Sequence, residues 1–364
     1  MEDLFYKIAL TMLPSVGAVT AKNLVSYCGS PMGVFEARKK ELLKIPGVGD
    51  LTANAIVGHD VFEQAEQELR FVERHKIRVM FYSDKDYPSR LKHYNDAPAL
   101  LYYRGNADLN ASRTVAIIGT RKPSHRGVST TEALIEGLKP YNVTTISGLA
   151  FGIDVAAHRK SIEINVPTIG VLGHGLQKIY PSQHYDVAAR MIENGGLLTE
   201  YFSFKEPDRE HFPMRNRIVA GLCDALIVVE TAKKGGSMIT VRFANDYNKD
   251  VFAVPGRLGD ENSLGCNLLI KSHRAALIES VEDLAYVMRW NEIDANKTIQ
   301  RQLFTEFSEP EKKIVNLLSD SEEMGVDAIS YKCGLANSEL AALLLNLEFK
   351  GVIRSVPGNR YVLL

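Results

Sequence analysis

The 364-residue chain has almost no excess charge of either sign: 43 Lys and Arg against 44 Asp and Glu leave a formal net charge of −1. That excludes a histone-like protein holding nucleic acid by bulk charge, so any polyanion site must be a local patch. Cysteine is scarce too. The four residues Cys28, Cys223, Cys266 and Cys333 form no CxxC pair, and no histidine stands beside them at metal-ligand spacing. A disulfide framework and the common zinc motifs are thereby excluded, and reduced thiols are expected. No apolar run approaches the roughly 20 residues that span a bilayer. The segment MEDLFYKIALTMLPSVG lacks a basic n-region and a small-residue cleavage site. The expectation is a soluble, cytoplasmic protein with no membrane span.

What is present is ordinary globular material: 45% hydrophobic residues and 24% charged ones, enough for two or three domains with a sizeable core. Residues 1–72 read as helical, with apolar spacing near three and four. Two punctuations interrupt them, Leu13-Pro14-Ser15-Val16-Gly17 and Ile45-Pro46-Gly47-Val48-Gly49. Each resembles a helix-hairpin-helix turn. Such a turn either grips a phosphate with backbone N–H groups at a helix N-terminus or only packs helices together.

From 76 to 290 the pattern is strand and helix. IRVMFYS and ALLYYRG predict two short strands. RTVAIIG, VTTISG, TIGVLG, GLLTEY, ALIVVE and DVFAVPG then alternate with amphipathic stretches such as GVSTTEALIEGLKPY and GIDVAAHRKSIEI. Short continuous apolar strands between helices mean buried parallel strands covered on both faces. The fold class is α/β, with an extended, doubly wound, mostly parallel Rossmann-type sheet. Residues 291–309 read as a polar linker. Residues 310–364 give the helical stretches PEKKIVNLLSD, MGVDAISYKCG and ANSELAALLLNLEFKG and a hairpin turning at Pro357-Gly358-Asn359, a winged-helix pattern.

Ligands of open α/β sheets bind outside the carboxyl ends of the strands. There the chain places Gly119, Thr120, Arg121, Lys122 and Ser124, then Gly148, Phe151 and Gly152, then Gly173. Later ends carry Phe212 with Arg215-Asn216-Arg217, Lys233 and Lys234 with Gly236 and Ser237, and Asn267. Glycine lets a phosphate approach the backbone, and basic side chains add charge-assisted bonds. Phe151 and Phe212 either stack on bases or pack in the core. Asp154 and His158, one helical turn apart, read either as a reacting pair or as a helix cap beside a buried, satisfied histidine. With no GxGxxG after the first strand of the alternating series and no GxxxxGK[ST], neither a dinucleotide fingerprint nor a P-loop is present, and no cofactor is expected. Ile146-Ser147-Gly148 is not GxSxG, which argues against a serine hydrolase.

IGTRKPS, SGLAFGIDVAAH, GHGLQKIYP, LLTEY, FPMRNRIVAGL, KKGGSMIT, VFAVPG and GCNLLI resemble, in order and spacing, the DNA-processing protein A (DprA/Smf) family. The resemblance is dense from about 80 to 285. It implies an extended Rossmann fold that binds single-stranded DNA without catalysis, forms homodimers, protects incoming DNA in natural transformation and helps load the RecA recombinase. The family's GSR-type turn falls on Gly119-Thr120-Arg121, its RNR motif on Arg215-Asn216-Arg217, and its RSGS-type turn on Lys234-Gly235-Gly236-Ser237. Lys234 replaces an arginine, keeping charge but losing fork geometry. Ser182 stands where some members place a DNA-contacting lysine, for which Lys178, Lys233 or His184 would have to substitute.

Two rival functions are weighed. Rossmann-like enzymes that cleave N-glycosidic bonds carry PGGxGTxxE. Aligned on Gly235-Gly236, this chain has Met238, Ile239 and Arg242, and an arginine cannot serve as general base. An adaptor or transcriptional role led by the winged helix meets an apolar third helix with little positive charge and an acidic DSEEMGVD segment, unlike a major-groove reader. A protein contact or packing role suits that domain better.

Overall fold

In the computed structural model the described residues are 2–291, 307–319, 323–349, 352–356 and 360–363. They belong to two compact units, 1–294 and 295–364. Most of the expected linker, the Pro357-Gly358-Asn359 turn and part of DSEEMGVD lie outside the described residues.

The first unit opens with six helices: Glu2–Met12, Ala18–Cys28, Pro31–Glu36, Lys39–Leu42, Asp50–Val57 and Val61–Arg74. The two glycine punctuations form matching turns, with Val16 N donating to Leu13 O at 3.3 Å and Val48 N donating to Ile45 O at 3.1 Å. Each turn needs one left-handed residue. The second uses Gly47 at φ +82, whereas the first forces Ser15 to φ 62, a conformation that costs a side-chain-bearing residue more than glycine.

Nine strands follow: β1 (Arg78–Phe81), β2 (Leu100–Gly105), β3 (Thr114–Ile118), β4 (Thr144–Ser147), β5 (Thr168–Val171), β6 (Gly195–Thr199), β7 (Ala225–Val228), β8 (Asp250–Ala253) and β9 (Ala276–Leu277). They form one sheet in the order β1-β2-β6-β5-β4-β3-β7-β8-β9. The β1–β2 and β2–β6 pairs are antiparallel and all others parallel. The two short strands expected at 76–110 thus extend one edge of the parallel sheet. The two-residue β9 had no sequence signal, being too short to show alternation and exposed at both positions.

Strand alternation sorts the core into two layers. Val115, Ile117, Ala225 and Ile227 face one side with Leu134, Ile135 and Leu138 of the His125–Leu138 helix. Ala116, Ile118, Leu226 and Val228 face the other with Ile218 and Val219 of the His211–Leu222 helix. Both faces are covered, so these strands read as unbroken apolar runs. The N-terminal helices join the same unit. Leu10, Leu24 and Val72 share a cluster with Leu100, Tyr102 and Leu197, and Glu68 accepts hydrogen bonds from Ser203 N at 2.9 Å and Ser203 Oγ at 2.8 Å.

β3 is followed through a helix by β4 on one side, while β7 pairs with its other side, Ile118 opposite Val228. Strand order therefore reverses between β3 and β7, the position at which open α/β sheets bind ligands in a crevice at the carboxyl ends.

The second unit holds the helices Glu309–Ser319, Val326–Cys333 and Asn337–Phe349, with strands β10 (Met324–Gly325), β11 (Ile353–Val356) and β12 (Arg360–Leu363) in the order β10-β12-β11. Its core is Ile314, Leu318, Ile329, Leu340, Leu344, Leu347 and Ile353. One expectation is corrected: MGVDAISYKCG is not helical from its start. Met324 and Gly325 pair with Tyr361 and Arg360. Gly325, a poor helix former, takes an extended conformation and serves as the cap from which the helix begins at Val326.

Candidate nucleic-acid interface

The loops after β3, β4 and β7 are laced together at the switch point. Thr120 N donates to Glu230 O at 2.7 Å, and Ile153 N donates to Thr120 O at 3.2 Å. Gly152 permits this approach: it sits at φ +83, and a Cβ there would collide with the Thr120 carbonyl. Ser124 caps the His125–Leu138 helix by accepting from Gly127 N at 3.0 Å. Its hydroxyl and backbone N–H both donate to the buried Glu230 carboxylate, at 2.5 and 2.9 Å. The turn 119–124 is thereby fixed from its backbone. Arg121 and Lys122 are left exposed and, among the described residues, free of side-chain ion pairs.

Across the crevice Ser237 is buried and donates to Thr231 Oγ1 at 2.6 Å, which sets the start of the Ser237–Asp246 helix. Lys233 and Lys234 stand exposed and unpaired on the turn before it, and Gly236 faces open space. Asn267 is half-buried and its side chain is committed to the backbone. It holds the turn after β8, accepting from Gly256 N at 3.1 Å and donating to Gly256 O at 2.9 Å.

The Arg215-Asn216-Arg217 turn of the helix is a different environment. Arg215 is 5% exposed and Arg217 6%. Arg215 Nη1 donates to Gly148 O at 2.5 Å and also to Val171 O, tying the ends of β4 and β5 together, while its Nε donates to Asn216 Oδ1 at 3.2 Å. Gly148 is required here because a Cβ would strike the Arg215 guanidinium and the Asp154 carboxylate. Burial draws the Arg215 pKa down to about 10, with Asp154 opposing that shift and Arg121 adding to it. Asp154 shows the reverse: burial raises its carboxyl and Arg215 opposes. Arg217 Nη2 pairs with Glu200 Oε2 at 2.5 Å, and burial raises the Glu200 carboxyl against that pairing.

Asp154 and His158 are not a reacting pair. Asp154 faces Arg215, and His158 is fully buried with Nδ1 2.7 Å from Thr168 Oγ1. Nor does Asp154 cap its helix, whose N-cap is Gly152. Of the aromatics, Phe151 is 44% exposed and meets the His184 ring edge-on at 4.8 Å. Phe212 is half-buried over Gly173, its ring 5.6 Å from that of Tyr180. Tyr180, 51% exposed, flanks the crevice and was missed as a site candidate, although GHGLQKIYP places it just beyond a strand end. Glu200 and Glu230, which position the arginines and the β3 turn, were missed as well; acidic residues at strand ends carry no phosphate-binding signal.

The three candidates to replace the lysine absent at Ser182 separate clearly. Lys178 is paired with Glu206 at 2.5 Å, and His184 is buried with Nδ1 2.9 Å from Leu149 O. Lys233 is exposed and unpaired. Where the N-glycosidic enzymes carry a glutamate, Arg242 lies over the Phe243 ring at 5.7 Å. Among the described residues no trio of His, Cys, Asp or Glu could hold a metal ion, and no helix is long and apolar enough to cross a membrane. Cys223 and Cys266 are buried, and burial pushes both thiols up to about 12, so neither carries thiolate at neutral pH.

Comparison with known proteins agrees with this arrangement. Residues 78–289 match the family model described as DNA recombination-mediator protein A, 305–359 the DprA winged helix domain, and 7–58 a SAM-like helix-hairpin-helix tandem. Protein Smf of Synechocystis is 30% identical over 98% of this chain and 98% of its own. The X-ray structure of DNA processing protein A from Streptococcus pneumoniae superposes with a TM-score of 0.67 at 31% identity, covering 79% of this chain and 96% of that one. DNA processing protein A from Helicobacter pylori, solved to study its single-stranded DNA binding mode, gives a TM-score of 0.54 at 29% identity, over 59% and 98% of the two chains. The sheet, its basic crevice and these matches agree: the chain belongs to the DNA recombination-mediator protein A (DprA/Smf) family.

Proposed function

We propose that this protein is a non-catalytic, DNA-processing protein that binds single-stranded DNA along the carboxyl edge of its sheet. The observation that carries the reading is the pair of rigid turns at the switch point, each presenting unpaired cations: Arg121 and Lys122 on one, Lys233 and Lys234 on the other. On a chain of net charge −1 these form a local patch suited to a polyanion. Arg121 supplies a guanidinium fork for a phosphate; the lysines supply point charges. Gly236 leaves its backbone open to a phosphate, while Gly119, Gly148, Gly152 and Gly173 let Ile153, Arg215, Thr120 and Phe212 pack close and so hold the loops in place. Phe151, with Phe212 and Tyr180 beyond it, offers faces on which unpaired bases stack, which a duplex cannot use. Arg215 and Arg217 act as positioning residues, setting the loop ends that carry the contacts.

The family assignment supports the finer reading: protection of incoming DNA in the cytoplasm and loading of the RecA recombinase during natural transformation. A homodimer would set two such edges on one strand and gain avidity. Fluorescence anisotropy with labelled single-stranded and duplex oligonucleotides tests the core of the proposal. Tight, salt-sensitive binding to the single strand, weakened by Arg121→Ala, is expected. Equal affinity for duplex, or binding indifferent to Arg121→Ala, contradicts it. RecA filament formation on the same oligonucleotide, with and without the protein, tests the loading role.

A further inference from the structure

A second concavity opens on the other flank of the 119–124 turn, bordered by the Ser124–Glu230 and Asn267–Gly256 hydrogen bonds. It is a cleft of about 260 Å³ between the first turn of the His125–Leu138 helix and the loops after β7 and β8. Val229, Val254 and Pro255 form an apolar wall. Arg126 and Arg257 also line it; both are exposed and, among the described residues, neither side chain has an ion-pair partner. At the opposite chemical extreme stand two carboxylates: the buried Glu230, taken up by Ser124, and the exposed Asp260, which accepts one bond on each oxygen, from Asn262 N at 3.2 Å and Ser263 Oγ at 3.0 Å, and keeps further acceptor capacity toward the cleft.

A ligand for this cleft must satisfy both kinds of charge. Unpaired guanidiniums call for an anion such as a phosphate. Carboxylates repel phosphate and accept hydrogen bonds, so they call for N–H donors. An apolar wall suits the face of a ring. One nucleotide residue has all three, with its phosphate, exocyclic amine and base, and the cleft is below the roughly 300 Å³ at which drug-sized pockets begin. The cleft also adjoins the basic crevice through the shared 119–124 turn and Glu230. We propose that it is a subsite for a single nucleotide of the bound strand, its phosphate on Arg126 and Arg257 and its base edge on Asp260. The subsite rests on the single-stranded DNA reading and adds a preference to it: Asp260 accepts from the amine of cytosine, whereas thymine offers a carbonyl at the same position.

Full-length protein is titrated with labelled oligo(dC) and oligo(dT) of equal length, beside Arg126→Ala/Arg257→Ala and Asp260→Asn, with melting temperatures recorded for each. The wild type should bind oligo(dC) several-fold tighter than oligo(dT). Asp260→Asn should erase that preference, because an amide both donates and accepts. The double arginine variant should weaken both oligonucleotides and flatten the salt dependence, without a change in melting temperature. Free dCMP is the second arm: binding of dCMP that is lost in the double variant, while oligonucleotide affinity stays unchanged, overturns the strand subsite in favour of a mononucleotide site. Variants that match the wild type in affinity and base preference overturn the subsite while leaving the DNA reading intact. A wild type that binds neither oligonucleotide overturns the DNA reading itself.

Discussion

The Arg215-Asn216-Arg217 turn and the loops bearing Arg121-Lys122 and Lys233-Lys234 bring the same kind of charge to the same end of the sheet, yet into opposite environments. The loop cations stand in solvent without partners, whereas Arg215 and Arg217 are buried against Gly148 O, Val171 O, Asp154 and Glu200. A buried guanidinium has given up its hydration and survives only if paired and hydrogen-bonded. An exposed one keeps its hydration and remains available to a phosphate. The lesson is that a basic motif at a strand end need not be a contact. Here the buried arginines shape the edge, and the exposed loop cations are the ones proposed to meet the ligand.

The sharpest way to break that distinction is Arg215→Ala. Removing Arg215 takes the buried donor from the Gly148 and Val171 carbonyls and the opposing charge from Asp154, and should cost about 3–5 kcal/mol in urea denaturation. Arg121→Ala should stay within about 0.5 kcal/mol of wild type. Equal stability in the two variants would erase the distinction.

His158, the other ionisable group deep under β4 and β5, extends the comparison to pH. Burial depresses its pKa to about 3, against about 6.5 in an unfolded chain. Below pH 6.5 the unfolded chain therefore takes up a proton that the native protein refuses. Stability should fall by up to about 1.4 kcal/mol per pH unit, until the pH nears the native value. Urea midpoints at pH 7, 6 and 5 should show this slope, and His158→Gln should flatten it.

Much of this arrangement was legible before any coordinates. Each apolar run from RTVAIIG to DVFAVPG became a strand because continuous burial on both faces demands such runs. The order of glycine-bearing strand ends located the crevice. Burial at Arg215 and Arg217 was not legible, since it depends on contacts with residues 17 and 67 positions away in sequence, Glu200 and Gly148. Asp154 misled for the same reason: the charge that acts on it is Arg215, far along the chain, rather than His158 one turn away. Ser15 taking the left-handed position of a glycine was visible only as a missing glycine in the first hairpin.

Two smaller effects sharpen the picture of the exposed half. Ser124→Ala removes a helix cap and one donor to Glu230, and should cost about 1–2 kcal/mol of stability, read by thermal melting. Any loss of DNA affinity it causes would come from a loosened Arg121 turn. Lys234→Arg should restore fork geometry and tighten single-strand binding by roughly twofold, with no change in melting temperature. A looser complex would mean that Lys234 does not face a phosphate.

The central claim is that the exposed cations of the β3 and β7 turns carry the phosphates. It is tested most directly by the salt dependence of single-strand affinity in wild type and Arg121→Ala/Lys234→Ala. Loss of two phosphate contacts should make the log–log slope shallower by about 1.4, at about 0.7 per phosphate, with the melting temperature unchanged. A wild type that binds tightly, with a slope the double variant leaves intact, would place the strand elsewhere on the molecule.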